Sequence, residues 1–480
     1  MMLRFSIRTF ITLLLAAVAG GQSTKPEIMA LLDQRTPRYA AIARDIWTYA
    51  EVGYQEYKST ARLQEQFTAA GFEIEAGVAG MPTAFIASYG AGEPVIGILG
   101  EYDALPGVLQ TASPEREPRT DGAMAGHACG HHLFGTGSTA AAIAVKDWME
   151  ATGARGTLRF YGCPAEEGGS GKVYLVRAGL FDDVDAVLHW HAGDRNAVGM
   201  GSSMANKSAK FRFYGRASHA AGAPERGRSA LDGVEAFDYM ANMMREHVPS
   251  DTRIHYVITR GGEAPNVVPA FAEVFYYVRN PDRLVIQDVW ARLEQAAQGA
   301  AMGTDTTVEW EIIHGNYELL PNEPLGRAMH ANLSRVGGVD YDDEERTFAR
   351  VLGRNLPGGR SAAPEMASQV QPFQPETPPF PASTDVADVS WMVPTIGLTA
   401  ATWVPGTPGH SWQAVAAGGT SIATKGMMVA AKTIALTAVD LFTDPDLRTA
   451  AREDLDRRRG ADFRYEPLLG NRPPPLDYRK

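Results

Sequence analysis

The chain has 480 residues, 45% of them hydrophobic and 21% charged, with a formal net charge of −11. That length exceeds one ordinary hydrophobic core and predicts two domains in a soluble globular protein. The acidic balance, with no basic stripe, excludes a nucleic-acid partner, because phosphate binding needs clustered Lys and Arg.

The opening residues read as an export signal. Arg4 and Arg8 give a positive start, Phe10 to Ala19 is apolar, and Ala17-Val18-Ala19 offers a cleavage site before polar Gln22-Ser23-Thr24. The apolar run is shorter than the ~20 residues a spanning helix needs. Residues 1–22 are therefore expected to be a signal peptide. The mature protein is expected to be exported, periplasmic or secreted, with no membrane association. No other stretch reads as long and apolar enough to cross a bilayer.

Thr36 to Ala70 reads as helix, with Ile42, Ile46, Tyr49, Leu63 and Phe67 on its apolar face, Gly53 interrupting and Gly71 stopping it. Strand-like runs follow at Ala84 to Tyr89, Val95 to Leu99, Thr157 to Tyr161 and Val184 to Trp190. Helical stretches lie between them, at Thr136 to Met149 and Lys172 to Ala178. This alternation predicts an α/β fold with a mixed, mostly parallel sheet.

The middle of the chain differs in texture. Ala209 to Tyr214, His255 to Thr259, Ala272 to Val278 and Thr307 to Ile313 read as strands, and Ser229 to Glu246 and Leu284 to Ala301 as amphipathic helices. Strand–helix–strand–strand–helix–strand is the ferredoxin-like order. It predicts an inserted α+β domain over 206–317, about a hundred residues. The catalytic domain is then expected at 25–205 and 318–450, closing with the strand Thr395 to Ala401 and the helix Ser421 to Leu441, and a charged, then Pro-rich, tail at 451–480. Pro357 to Ser383 reads as a long Pro-rich loop.

Polar residues gather after the strands. Glu101-Tyr102-Asp103 follows Val95 to Leu99, Glu166-Glu167 follows Thr157 to Tyr161, and His189 and His191 end the strand from Val184. In open α/β sheets the carboxyl edge is where ligands bind. Cys, His and carboxylate side chains together suit zinc and its neighbours. Cys129-Gly130-His131 forms a C-x-H pair in a Gly-rich turn, and His191 and His410 can supply further ligands. Of the adjacent carboxylates Glu166 and Glu167, one can bind metal while the other takes a proton from water. The two cysteines, Cys129 and Cys163, also permit a disulfide. A thiolate ligand accounts for His131, Glu166, Glu167 and His191 together, which a disulfide does not. Arg279 ends a strand of the inserted domain and is read either as a substrate-carboxylate contact or as a surface ion pair.

Five segments, Gly100 to Pro106, Gly126 to His131, Pro164 to Gly169, Ser218 to Ala221 and Pro265 to Pro269, resemble the M20 metallopeptidases, and more closely their amidohydrolase branch. Gly130 to Ser138 is similar to the B-type group of p-aminobenzoyl-glutamate hydrolase subunits. The resemblance implies two divalent metal ions, zinc or manganese, held by Cys129, His131, Glu167, His191 and His410. It implies Glu166 as general base, Asp103 orienting a ligand from behind, and Asn266 holding substrate. It implies that His219 steadies the oxyanion in a neighbouring subunit's site, so that the inserted domain serves as lid and dimerisation domain of a homodimer or of a hetero-oligomer with a related subunit. The implied reaction is hydrolysis of a small amide or peptide substrate, an N-acyl or aminobenzoyl amino-acid conjugate, with dipeptidase or carboxypeptidase activity as the alternative. The chain departs from the pattern at His132, where relatives carry Asp or Asn, and in the second histidine, His189, beside His191.

Overall fold

The computed structural model describes residues 24–356 and 363–479. The expected signal peptide lies outside the described residues.

The first helix starts at Lys25, earlier than expected, because Thr24 and Glu27 form a capping box ahead of it. It ends at Tyr49, where Ala50 turns left-handed with φ 45°. A separate helix, Tyr57–Ala69, follows, so the expected interrupted helix is two helices.

The strands among the described residues are β1 (Glu73–Ala76), β2 (Phe85–Ala91), β3 (Val95–Glu101), β4 (Leu105–Pro106), β5 (Ala125–Gly126), β6 (Gly156–Cys163), β7 (Ala186–Gly193), β8 (Ala197–Val198), β9 (Ala205–Tyr214), β10 (Arg253–Arg260), β11 (Phe271–Asn280), β12 (Thr307–Asn316) and β13 (Thr395–Ala401). Seven of them form one sheet in the order β1-β2-β6-β3-β7-β13-β8. The central pairs β6–β3, β3–β7 and β7–β13 are parallel, and the outer pairs are antiparallel. This is the expected mixed, mostly parallel α/β sheet. Every residue of β3 is buried, as in a parallel strand covered on both faces.

Helices Lys25–Tyr49, His131–Thr152 and Ser421–Thr443 pack on one another, and the second also packs on β3. An added Cβ on Gly135 would lie 2.6 Å from the Glu101 carbonyl oxygen. Glycine there lets the helix start press against the end of β3. Ser421–Thr443 is long and apolar enough to cross a membrane, which corrects the expectation that nothing beyond the first residues is. Its most apolar window is 83% buried inside the fold, so it serves as a core helix.

β4 and β5 form a small antiparallel pair, and a second, four-stranded sheet is antiparallel, in the order β10-β11-β9-β12. Helices Ala230–Met244 and Arg283–Gly303 pack against it around Phe211, Phe237, Tyr276 and Trp290. Helix Pro445–Arg459 runs across the expected boundary at 450, and the segment after it packs Leu468 and Leu469 into the protein.

Candidate metal centre

The parallel arrangement sends the carboxyl ends of β3, β6, β7 and β13 to one edge. Glu101 is the last residue of β3, and Asp103 follows two positions later. Glu166 and Glu167 lie in the turn after β6, and His191 lies inside β7. His131 opens its helix, with Gly130 left-handed at φ 80° as the turn from Cys129 requires. His410, itself at φ 57°, precedes the Ser411-capped helix Trp412–Gly418, and its N–H donates to the Ala128 carbonyl at 2.9 Å.

These side chains converge in three groups whose ligand atoms lie within 4.8 Å of one another: Cys129 with His131 and His191, Cys129 with Glu167 and His410, and Glu101 with His131 and Glu166. Cys129 belongs to the first two. Cys129 Sγ is 3.3 Å from His191 Nε2, and His410 Nε2 is 3.2 Å from Glu167 Oε1. Asp103 joins the two groups from behind. Its Oδ1 is 2.8 Å from His131 Nδ1, and its Oδ2 accepts the Glu167 N–H at 2.9 Å. A proton on His131 Nδ1 leaves the Nε2 lone pair facing the cluster, and the contact from His191 Nδ1 to the Ala192 carbonyl at 2.7 Å does the same for His191.

His131 Nε2 and Glu101 Oε2 face each other at 3.1 Å and Glu167 Oε1 faces only His410, with no other hydrogen-bond partner for any of these three buried atoms. Buried polar atoms are rarely left so. Nitrogen, sulfur and carboxylate oxygen aimed at common points are the donor set zinc and related divalent ions take. The residues present therefore fit a metal pair.

Burial and the neighbouring charges shift these groups from their ordinary ranges. Burial, with the Glu167 charge, pushes the Cys129 thiol well up. Burial pulls His131 down, but Cys129, Glu101 and Asp103 around it outweigh that and hold it well above the usual histidine range. Burial raises Glu166 well above the usual carboxylate range, reinforced by Glu101, Glu167 and Asp385. Burial would raise Glu167 too, but its bond to His410 and the charge of His131 hold it low. The bond to Glu167 raises His410.

The remaining sequence-derived residues lie elsewhere. His219 and Asn266 are exposed neighbours in the inserted unit, where the Ala220 N–H donates to the Asn266 carbonyl and His219 Nδ1 accepts from Ala221 and Gly222. Neither belongs to the cluster in this chain. Arg279 makes no ion pair among the described residues, and its Nη1 is 3.4 Å from Ser383 Oγ. Its charge lowers both His314 and His410. His132 lies outside the three groups: its Nε2 is 3.0 Å from the Gly418 carbonyl, and burial drives it down to about 3. His189 is likewise outside them, buried and driven down to about 3.

Sequence reasoning gave no role to Glu101, Lys172 or Asp385. Lys172 Nζ lies 2.5 Å from Glu101 Oε1 and 2.7 Å from Asp385 Oδ1, all three fully or almost fully buried. Such a group is stable only when every charge is partnered. Glu101 carried a signal in its place at a strand end. The pairing of Lys172 with Asp385 carried none.

The model of Peptidase family M20/M25/M40 matches residues 97–414. The B-type subunit of p-aminobenzoyl-glutamate hydrolase from Escherichia coli (strain K12) is 42% identical over 440 residues, covering 87% of this chain and 92% of that one. Among solved structures, the aminobenzoyl-glutamate utilization protein from Klebsiella pneumoniae superposes with a TM-score of 0.61 at 18% identity, covering 86% of this chain and 98% of that one. The YXEP protein of Bacillus subtilis, a dinuclear metal binding peptidase from the M20 family, gives 0.56 at 18% identity, covering 86% and 99%.

Proposed function

The chain belongs to peptidase family M20/M25/M40 and is an amide hydrolase of that family, and from that premise we propose that it cleaves N-acyl or aminobenzoyl amino-acid conjugates such as p-aminobenzoyl-glutamate. The observation that carries the reading is the shared thiol: Cys129 stands in two ligand groups at once, with the half-buried Glu166 in the third.

In this reading Cys129, His131, Glu167, His191 and His410 hold two divalent ions, zinc or manganese. When bound, the ions polarise the amide carbonyl and make a water molecule acidic. Glu166 in its ionised form, made a stronger base than an ordinary carboxylate by burial, would take a proton from the water and deliver it to the leaving amine nitrogen. Asp103 fixes the ring of His131 and the backbone of Glu167, so both ligands keep their direction. His219 and Asn266 are exposed on the inserted unit and stand outside the three ligand groups. They act across a contact with a second copy or a related subunit, His219 on the oxyanion and Asn266 on the substrate. The Escherichia coli relative is named as one subunit of its hydrolase, which supports an assembly of that kind.

Arg279 receives the carboxylate of the amino-acid half. It has no acidic partner among the described residues, and it stands in register with Asn206 on β9, which stands in register with Asn316 on β12. Asn206 Oδ1, Ser208 Oγ and Asn316 Oδ1 are buried without hydrogen-bond partners, which supports a polar ligand there. Hydrolysis of p-aminobenzoyl-glutamate, N-acyl amino acids and dipeptides is to be compared on metal-loaded protein and on Arg279→Met. The conjugates should be the better substrates, and the variant should raise KM about ten-fold or more for carboxylate-bearing ones, as expected for a lost charged hydrogen bond. A preference for dipeptides, or an unchanged KM, would contradict the assignment.

We also propose that residues 1–22 direct export and are removed, on the strength of Arg4, Arg8 and the apolar run before Ala17-Val18-Ala19. A mature protein that retains Met1 in the cytoplasm would refute this.

A further inference from the structure

The turn that carries Glu166 and Glu167 has an unusual backbone. Ala165, Gly168 and Ser170 stand at φ 56°, 94° and 58°. Two of the three are not glycine, so the turn is sterically strained and persists only where its surroundings over-determine it. Three of the groups that hold it come from earlier in the chain. The Ala165 N–H donates to Glu56 Oε1 at 2.8 Å, the Glu167 N–H to Asp103 Oδ2 at 2.9 Å, and the Tyr54 hydroxyl to the Gly169 carbonyl at 2.6 Å.

The carbonyl of Glu167 is held from the other end of the sequence. The Tyr478 hydroxyl donates to it at 3.1 Å, and Arg479 Nη2 donates to it as well. Both residues lie beyond residue 414, where the match to the family model ends. The segment reaches the turn along a fixed route. Arg177 Nη1 donates to the carbonyls of Gly470 and Arg472, the Tyr174 hydroxyl to that of Pro473, and Gln55 Nε2 to that of Leu476. The Tyr478 ring then meets the Tyr54 ring edge-on at 5.7 Å. Gly53 leaves room for it, since an added Cβ there would lie 2.4 Å from the Tyr478 hydroxyl.

We propose that Tyr478 and Arg479 are positioning residues of the metal centre, which hold the Glu167 carboxylate in place by occupying both lone pairs of its main-chain carbonyl. Two donors on one carbonyl fix the peptide plane, and that plane sets the direction in which the Glu167 side chain leaves the backbone. The far side of the same residue meets His410 and Cys129. The inference rests on the reading of Glu167 as a metal ligand.

The test uses the full chain stripped of metal, the variants Tyr478→Phe, Arg479→Ala and their double, and zinc alone as the probe. Zinc affinity is measured by competition with a chromophoric chelator, beside the melting temperature of the stripped protein. The double variant should bind zinc about ten-fold more weakly, the usual loss when a group supporting a ligand is removed. Its stripped melting temperature should match the parent, and Arg479→Lys should recover most of the affinity lost in Arg479→Ala. Unchanged zinc affinity overturns the proposal. A fall in affinity matched by a fall in the stripped melting temperature overturns it too, because the segment then only supports the fold. The readout needs no substrate, so weakened zinc binding in a protein that cleaves no amide conjugate would leave this inference standing and refute the substrate reading alone.

Discussion

Cys129 is where two ligand groups meet, and its chemistry separates a metal site from a cross-link. Both cysteines are free thiols in this structure. Cys163 is buried, donates to the Tyr161 carbonyl at 3.2 Å and is pushed up to about 12 by burial, so it behaves as an inert core residue. Cys129→Ser replaces a soft ligand by a poor one at nearly constant shape. It should lose bound metal, with little change in the melting temperature of the stripped protein. Unreduced, denatured parent protein should titrate as two thiols, and a variant with full metal content would contradict the ligand role. At this scale much of the site was legible, because Cys, His and carboxylate side chains followed apolar strand-like runs. Lys172 and Asp385 were not, since they are 213 positions apart and only the fold joins them. Nor could spacing in the sequence separate His191 from His189. The contact of His191 with Cys129 does so.

At the scale of elements, the buried parallel strands were readable because a strand covered on both faces is a continuous apolar run. Their ends moved by a few residues where the ladder continues through Gly100 and Glu101 and through Gly162 and Cys163. Helix Asp343–Gly353 was not among the expected elements, although Asp342 and Glu345 form a capping box at its start. The tail at 451–480 was expected only from its charged, then Pro-rich, composition. Its anchors are hydrogen bonds to distant elements, which leave no local pattern. One anchor predicts a pH effect. Asp388, in helix Val386–Met392, accepts from the Tyr465 hydroxyl at 2.7 Å and the Tyr317 N–H at 2.9 Å, and burial raises it to about 7. A carboxyl raised on folding contributes stability that is full below its unfolded value near 3.8 and is lost as pH rises through about 7. The stability of the parent relative to Asp388→Asn should therefore fall between roughly pH 4 and 7, by up to about 1.4 kcal/mol per pH unit. Denaturant melts across that range check this, and a constant difference would contradict it.

At the scale of the whole molecule, one sheet edge gathers the ligands while the inserted unit, with its own sheet and core, carries Arg279, His219 and Asn266. Under the proposed function, another subunit supplies the last groups of the site. The central claim, that the edge is a metal-dependent amide hydrolase site with Glu166 as its base, has one most direct measurement. It is the release of p-aminobenzoate from p-aminobenzoyl-glutamate by the metal-loaded parent and by Glu166→Gln at matched metal content. Removing a general base costs about 100-fold or more in turnover. The parent should turn over, and the variant should show at least that loss while keeping its metal. A fully active Glu166→Gln protein, or no turnover by the parent with either zinc or manganese, would contradict the claim.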